Sequence, residues 1–255
     1  MPLEIVTVPC LSDNYAFLAH DPQSGATGLI DAPEADPILA MLNAKGWRLT
    51  DVLITHHHGD HVMGLSAILA KHPARVVGHA KDAERLPPLD TALNEGDSVS
   101  IGDETGVVID VSGHTIGHIA FHFPRSRAAF TADSLMALGC GRVFEGTMDM
   151  MWDSLQKLAA LPHDTIVYSG HEYTAANAKF ALSIEPDNPA LTSRAEQISE
   201  RRAQNQATVP STLEEELATN PFLRANQAEM KASLGMQNAS DAAVFAEIRT
   251  RKDNF

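Results

Sequence analysis

Residues 55–61 read Thr-His-His-His-Gly-Asp-His. His56, His58, Asp60 and His61 place four potential metal ligands within six positions. Imidazole and carboxylate are donors that zinc, iron and manganese accept. In an extended segment residues two apart share a face, so His56 and His58 can grip one ion together. Gly59 lets the chain turn, so Asp60 and His61 can point elsewhere, toward a second ion. The plain alternative is a histidine-rich surface turn that binds metal adventitiously. The flanks argue against it: the run follows the apolar strand pattern Asp51-Val-Leu-Ile-Thr55 and precedes a helix-like segment, Val62 to Lys71.

Three further ligand types recur in the same setting. His114 follows the strand pattern Thr105 to Val111 and a glycine, Asp133 closes Ala128 to Ala132, and His171 follows Thr165 to Ser169. Taken singly, each reads as an ordinary turn or cap residue. Together with the first run they fall on four strand ends, and the ends of neighbouring strands converge in α/β folds.

The elements that must carry these residues change character near position 170. Before it, short β-like runs alternate with turns, with helix-like segments Ala35 to Lys45, Val62 to Lys71 and Met148 to Ala160 between them. That alternation predicts a layered α/β architecture. After residue 172 the spacing is helical: Tyr173 to Ser183, Pro189 to Gln206, Thr212 to Thr219, Ala225 to Gly235 and Asp241 to Arg249. Ser211-Thr-Leu-Glu214 reads as a capping box. The expected division is therefore a catalytic domain over 1–171 and a helical domain over 172–255.

Composition narrows the function. The chain has 255 residues, 44% of them hydrophobic, enough for a real core. No apolar run reaches the roughly 18 residues of a membrane span. Met-Pro-Leu-Glu-Ile lacks the features of a signal peptide, and Cys10 and Cys140 read as buried free thiols, so the expected place is the reducing cytoplasm. A net charge of −14 repels nucleic acid and anionic membranes. An anionic small substrate would need a local basic patch. Arg249-Thr-Arg251-Lys252 is the densest one, although by charge alone it reads as a solvated helix end.

The chain resembles the metallo-β-lactamase superfamily, and within it the glyoxalase II (hydroxyacylglutathione hydrolase) family, from end to end. The resemblance is carried by Pro9-Cys-Leu-Ser-Asp-Asn-Tyr15, Thr55 to His61, Gly113-His-Thr-Ile-Gly-His118, Phe130-Thr-Ala-Asp-Ser-Leu135, Gly139-Cys-Gly-Arg-Val-Phe-Glu-Gly-Thr147, Ser169-Gly-His-Glu-Tyr-Thr174 and Arg249-Thr-Arg-Lys-Asp-Asn-Phe255. The metal motif is common to the superfamily; the Gly-Cys-Gly-Arg and terminal Arg-Lys-Asp elements are more specific. The resemblance implies an αββα sandwich followed by an all-helical domain. It implies two divalent ions, zinc before iron or manganese, with His56, His58 and His114 on the first, Asp60, His61 and His171 on the second, and Asp133 bridging. It assigns glutathione contacts to Arg142, Phe144, Tyr173, Arg249 and Lys252. Asp31 would orient a ligand, or simply turn the chain before Pro33. Ala132 stands where the family usually has glycine, which leaves the backbone before Asp133 open. Phe144 replaces a tyrosine of some members.

The implied chemistry is thioester hydrolysis, by a monomer, of S-(2-hydroxyacyl)glutathione. A water whose pKa falls toward about 7 attacks the carbonyl. A thiol of reference pKa about 8.5 then leaves without a dedicated acid, so His57, His118 and His122 are free to pack or to support ligands. His20, His72, His79 and His163 read as surface or turn histidines. The rival readings are another hydrolase of the fold, a mono-iron glutathione persulfide dioxygenase, a nuclease, or a metal-binding scaffold without catalysis.

Overall fold

The computed structural model describes residues 1–255. Two six-stranded sheets face one another. The first runs, in spatial and chain order, β1 (Glu4–Cys10), β2 (Asn14–His20), β3 (Ala26–Ile30), β4 (Arg48–Leu53), β5 (Arg75–His79) and β6 (Thr91–Leu93). The second contains β7 (Ser98–Ile101), β8 (Glu104–Asp110), β9 (Ile119–Phe123) and β10 (Ala128–Ala132). A two-stranded ribbon, β11 (Leu135–Met136) with β12 (Gly139–Cys140), interrupts the chain before β13 (Ile166–Ser169) and β14 (Ser211–Thr212) extend the second sheet beyond β10.

Helices cover both outer faces. They are α1 (Ala35–Lys45), α2 (Gly59–Val62), α3 (Leu65–Leu69), α4 (Met148–Ala159), α5 (Thr174–Ile184), α6 (Pro189–Ala203), α7 (Leu213–Thr219), α8 (Ala228–Ser233) and α9 (Asp241–Asp253). The period-2 alternation of strand side chains explains the layering. In β2, Phe17 and Ala19 point between the sheets, among Ile30, Leu53, Phe121 and Phe130. Their neighbours Ala16 and Leu18 point outward, against Ile38 and Leu42 of α1 and Ile68 of α3. Both faces of β2 are therefore dry, which accounts for its nearly unbroken apolar run. The predicted αββα sandwich is the observed one.

The helical region keeps one small cluster, Ala178, Ala181, Leu191 and Ile198 around Leu138, and shares its larger core. Met151, Trp152 and Leu155 of α4 share one buried cluster with Phe180, Phe222, Phe245 and Ile248, from beyond residue 172. β14, also from that region, pairs with β13 through Ile166↔Thr212 and Val167↔Ser211.

Three local expectations are corrected. The segment Val62 to Lys71 is not one helix but α2 and α3, and α2 begins early enough to carry Asp60 and His61. Gly64 makes the break: its N–H donates to Ala32 O at 2.8 Å, and an added Cβ would lie 2.8 Å from Ala35 N. The capping box lies one residue later than read, at Thr212 and Glu215, because the Ser211 hydroxyl donates to Glu216 instead, at 2.6 Å. α9 runs on to Asp253, so Lys252 rides a helix rather than a tail. In addition, His79, expected at the surface, is buried at the end of β5.

Candidate metal centre

Four strand ends on one edge of the sandwich bring the ligand-type residues together. His56 and His58 follow β4, His114 follows β8, Asp133 follows β10 and His171 follows β13. The ends of the two sheets are stitched there by Ile119 N donating to Thr55 O at 3.0 Å. Donor atoms of His56, His58 and His114 lie close enough to share one cation, and those of Asp60, His61 and His171 close enough to share another.

Asp133 stands between the groups. Its Oδ2 is 3.5 Å from His114 Nε2 and 3.3 Å from His171 Nε2, and its Oδ1 is 3.4 Å from His61 Nε2. A third grouping, Asp31 with His56 and His61, is accounted for by hydrogen bonding instead. Asp31 Oδ2 faces His61 Nδ1 at 2.8 Å and accepts from the Thr55 hydroxyl at 2.8 Å. That hydroxyl, having donated its proton, accepts from His56 Nδ1 at 3.0 Å.

The same logic fixes the other tautomers. His114 Nδ1 faces the Arg142 carbonyl at 2.8 Å and must donate to it. His171 Nδ1 faces Asp13 Oδ1 at 2.9 Å. Four rings thus spend Nδ1 on an outer acceptor and turn Nε2 inward, the arrangement by which supporting residues orient ligands. His58 presents Nδ1 instead, 3.0 Å from His114 Nε2.

The donors fit cations. His56 Nε2, His61 Nε2 and Asp133 Oδ1 are buried without a hydrogen-bond partner, a cost a protein accepts where an ion completes the set. Gly170 leaves the necessary room, since a Cβ there would sit 2.6 Å from Asp133 Oδ1. Burial, then the charges of His61 and His118, hold His56 well below the usual histidine range. Burial, then His114, lowers His58, and burial chiefly lowers His114. These three rings are therefore neutral, the state in which imidazole binds metal. Burial alone would raise the Asp133 carboxyl, but His61 and His171 hold it well below the carboxylate range. Burial likewise opposes a charge on His61, yet Asp133 and Asp31 keep it well above the usual range.

His118 is not a ligand in this arrangement. Its ring stacks on His56 at 4.6 Å, and its Nε2 accepts from the Asp133 backbone N–H at 3.3 Å. His57 points away, with Nδ1 2.9 Å from Asp82 Oδ2.

A cleft of about 440 Å³ opens over His58, Asp60, His114, Asp133 and His171. Phe144, 60% exposed, presents its ring edgewise to His58 and His114 at 5.9 and 5.3 Å. Tyr173 stacks on His171 at 4.6 Å. Burial, then the charges of Asp13 and Asp133, push its hydroxyl pKa upward, so it remains a donor. Lys252 lies over the Phe180 and Phe255 rings, and burial, then Arg249, lower its pKa. Arg249 also lines the cleft, but it is 5% exposed. It donates to Cys140 O at 2.9 Å and to Asp253 Oδ1 at 2.9 Å. Arg142 donates to the same Asp253 oxygen at 3.2 Å.

The sequence left several contacting residues unassigned. Asp13 and Asn14 lie in a quoted motif but carried no role. Arg85, Asp82 and Glu145 form a cluster in which Arg85 Nη1 donates to Glu145 at 2.5 Å, also pairs with Asp82, and Glu145 accepts from Ile116 N at 2.9 Å. Only the Glu in Val-Phe-Glu-Gly offered a signal.

Known proteins agree with this picture. Residues 24–171 match the model of the metallo-β-lactamase superfamily, and residues 172–255 match that of the hydroxyacylglutathione hydrolase C-terminus. A hydroxyacylglutathione hydrolase of Cereibacter sphaeroides is 63% identical over 255 residues, all of both chains. One of Roseobacter denitrificans is 62% identical, again over both full lengths. Among solved structures, ETHE1 from Myxococcus xanthus shares the fold at a TM-score of 0.67, with 23% identity, over 99% of this chain and 98% of its own. A His/Asp site of this kind in this fold is a site for divalent metal. With full-length identities above 60% and both of its regions matched, the chain belongs to the hydroxyacylglutathione hydrolases of the metallo-β-lactamase superfamily.

Proposed function

We propose that the chain hydrolyses S-(2-hydroxyacyl)glutathione, typified by S-D-lactoylglutathione, to a 2-hydroxy acid and glutathione, the second step of methylglyoxal detoxification. In this reading His56, His58, His114 and Asp133 hold one ion, and Asp60, His61, His171 and Asp133 hold the other. Zinc is the first choice, and iron or manganese suit the same nitrogen and oxygen donors. The observation that carries the reading is the placement of Asp133, within 3.5 Å of His114 on one side and 3.3 Å of His171 on the other.

Two divalent cations, when bound, lower the pKa of a shared water toward about 7 and offset charge growing on the thioester oxygen. The rest is the work of side chains. Lys252 and Arg142 meet the glutathione carboxylates, each charge-assisted contact contributing roughly 1.5–3 kcal/mol where desolvated. Tyr173 donates a hydrogen bond, Phe144 packs on the peptide, and Arg249 supports the wall from behind. His118 is held neutral by burial, then by His114, so it offers no acid. None is required, because a thiolate leaves unaided. Residues 1–171 supply the metal ligands with Arg142 and Phe144, and residues 172–255 complete the substrate wall with Tyr173, Arg249 and Lys252. The site is complete within one chain, which suits a monomer, and both cysteines are buried and unpaired, which suits the cytoplasm.

Elemental analysis joined to a thioester assay tests this. The expected result is about two ions per chain and turnover of S-D-lactoylglutathione that chelator abolishes. Full activity at a saturated content of one ion refutes the binuclear reading.

A further inference from the structure

The turn between β1 and β2 touches only the second of the two ligand groups. Asn14 Nδ2 donates to Asp60 Oδ2 at 3.0 Å and to the Asp60 carbonyl at 3.1 Å. Asp13 Oδ1 faces His171 Nδ1 at 2.9 Å. The backbone repeats the link. Glu172 N donates to Asp13 O at 2.8 Å, Tyr15 N donates to Gly170 O at 2.8 Å, and Asn14 forms an antiparallel bridge with His171. One turn therefore grips two ligands drawn from distant parts of the chain. The first group is held otherwise, by Thr55 behind His56 and the Arg142 carbonyl behind His114.

Asp60 is the ligand most in need of such support. It sits on the four-residue helix α2, and its side chain is 40% exposed. Asn14 is its one hydrogen-bond donor apart from the rings it faces. Without that amide the carboxylate is free to swing into water, away from His61 and His171.

We propose that Asp13 and Asn14 are positioning residues that set the occupancy of the second metal group, so that this turn decides whether the chain holds two ions or one. The inference rests on the binuclear reading above. A turn with a merely structural role would, when damaged, weaken both groups together.

The test is stepwise zinc binding to the metal-free chain by chelator competition, with bound zinc counted and the melt of the metal-free chain recorded. The wild type is expected to bind two ions. In Asn14→Ala and Asp13→Ala the first step should match wild type and the second should weaken about 10–100-fold, the range typical of lost ligand support. Asp13→Asn, whose amide oxygen still accepts from His171, should restore the second step. The Asp13 side chain is partly exposed, so its variants keep the test available if the buried Asn14 variant does not fold. An unchanged second step in both alanine variants overturns the proposal, as does equal weakening of both steps. A wild type that saturates at one ion overturns the binuclear reading first, and the proposal with it.

Discussion

Arg249 and Asp253 sit one helical turn apart on α9, joined from Nη2 to Oδ1 at 2.9 Å. The same oxygen takes Arg142 Nε at 3.2 Å, so one carboxylate ties the C-terminal helix to the cleft wall. Arg249 is thus anchored within the fold, whereas the one hydrogen bond of Lys252 is long, 3.4 Å to Ala176 O. Arg249→Met should destabilise the fold by about 1–3 kcal/mol, since the buried Cys140 carbonyl loses this donor and Asp253 is left with Arg142 alone. Lys252→Met should stay within about 0.5 kcal/mol and raise KM for the glutathione thioester about tenfold with kcat kept. Urea unfolding with steady-state kinetics checks both. Equal effects on KM and stability in the two variants would contradict the division.

Ala132 adopts φ 42° immediately before Asp133, a left-handed backbone that costs an L-residue about 1–2 kcal/mol. Ala132→Gly relieves that strain but loses a buried methyl worth about 0.8 kcal/mol, so melting should hold or rise slightly. Ala132→Val adds a β-branched side chain where φ is positive and overpacks the site, for a loss of roughly 2 kcal/mol or more. Thermal melts of the three chains should rank glycine at or above alanine, and valine far below. A valine variant as stable as wild type would show that the strain is absent.

Hydrogen bonding from Arg85, working against burial and aided by Ile116 N, pulls the Glu145 carboxyl down to about 2. A depressed carboxylate stabilises the folded state above its unfolded pKa, near 4.3, and that stability is lost as pH falls through about 2. The stability gap between wild type and Glu145→Gln should therefore be full above about pH 4.3 and close toward pH 2. Denaturation at a series of pH values measures it. A gap that widens on acidification would reverse the sign and exclude the ion pair as its source.

Metal removal should be costly. His56 Nε2, His61 Nε2 and Asp133 Oδ1 are buried without partners, so the chelated chain should melt lower and recover with added zinc. Above the dissociation constant, each tenfold rise in free zinc should add about 1.4 kcal/mol per bound ion, with proton release as His61 gives up its charge. Calorimetry in buffers of different ionisation enthalpy reads both. A melt indifferent to zinc would argue that these atoms do not meet an ion.

Much of the candidate site was legible because its residues follow strand patterns directly. The apolar runs before His56, His114, Asp133 and His171 announce strand ends, and strand ends converge. β7, β9 and β10 coincide with their sequence patterns for the same reason. What was hidden depends on pairing at long range. Nothing near Asn14 points to Asp60, and nothing near Arg85 points to Glu145; only the fold puts them side by side. The burial of Arg249 was hidden as well: its neighbours Thr250 and Arg251 are exposed, while helical rotation turns Arg249 itself toward Phe222. Two-residue strands such as β11, β12 and β14 carry no periodicity to detect.

The shared core has a consequence for truncation. His56, His58, Asp60, His61, His114, Asp133 and His171 all precede residue 172, but Phe245 and Ile248 complete the cluster around Met151 and Leu155. Without them the outer face of the second sheet and α4 lies open to water. Removing Phe245 alone from such a core costs about 3–5 kcal/mol, a large share of the stability of an ordinary domain. A fragment cut at residue 171 would therefore carry every candidate ligand and still lack the packing that holds them in place.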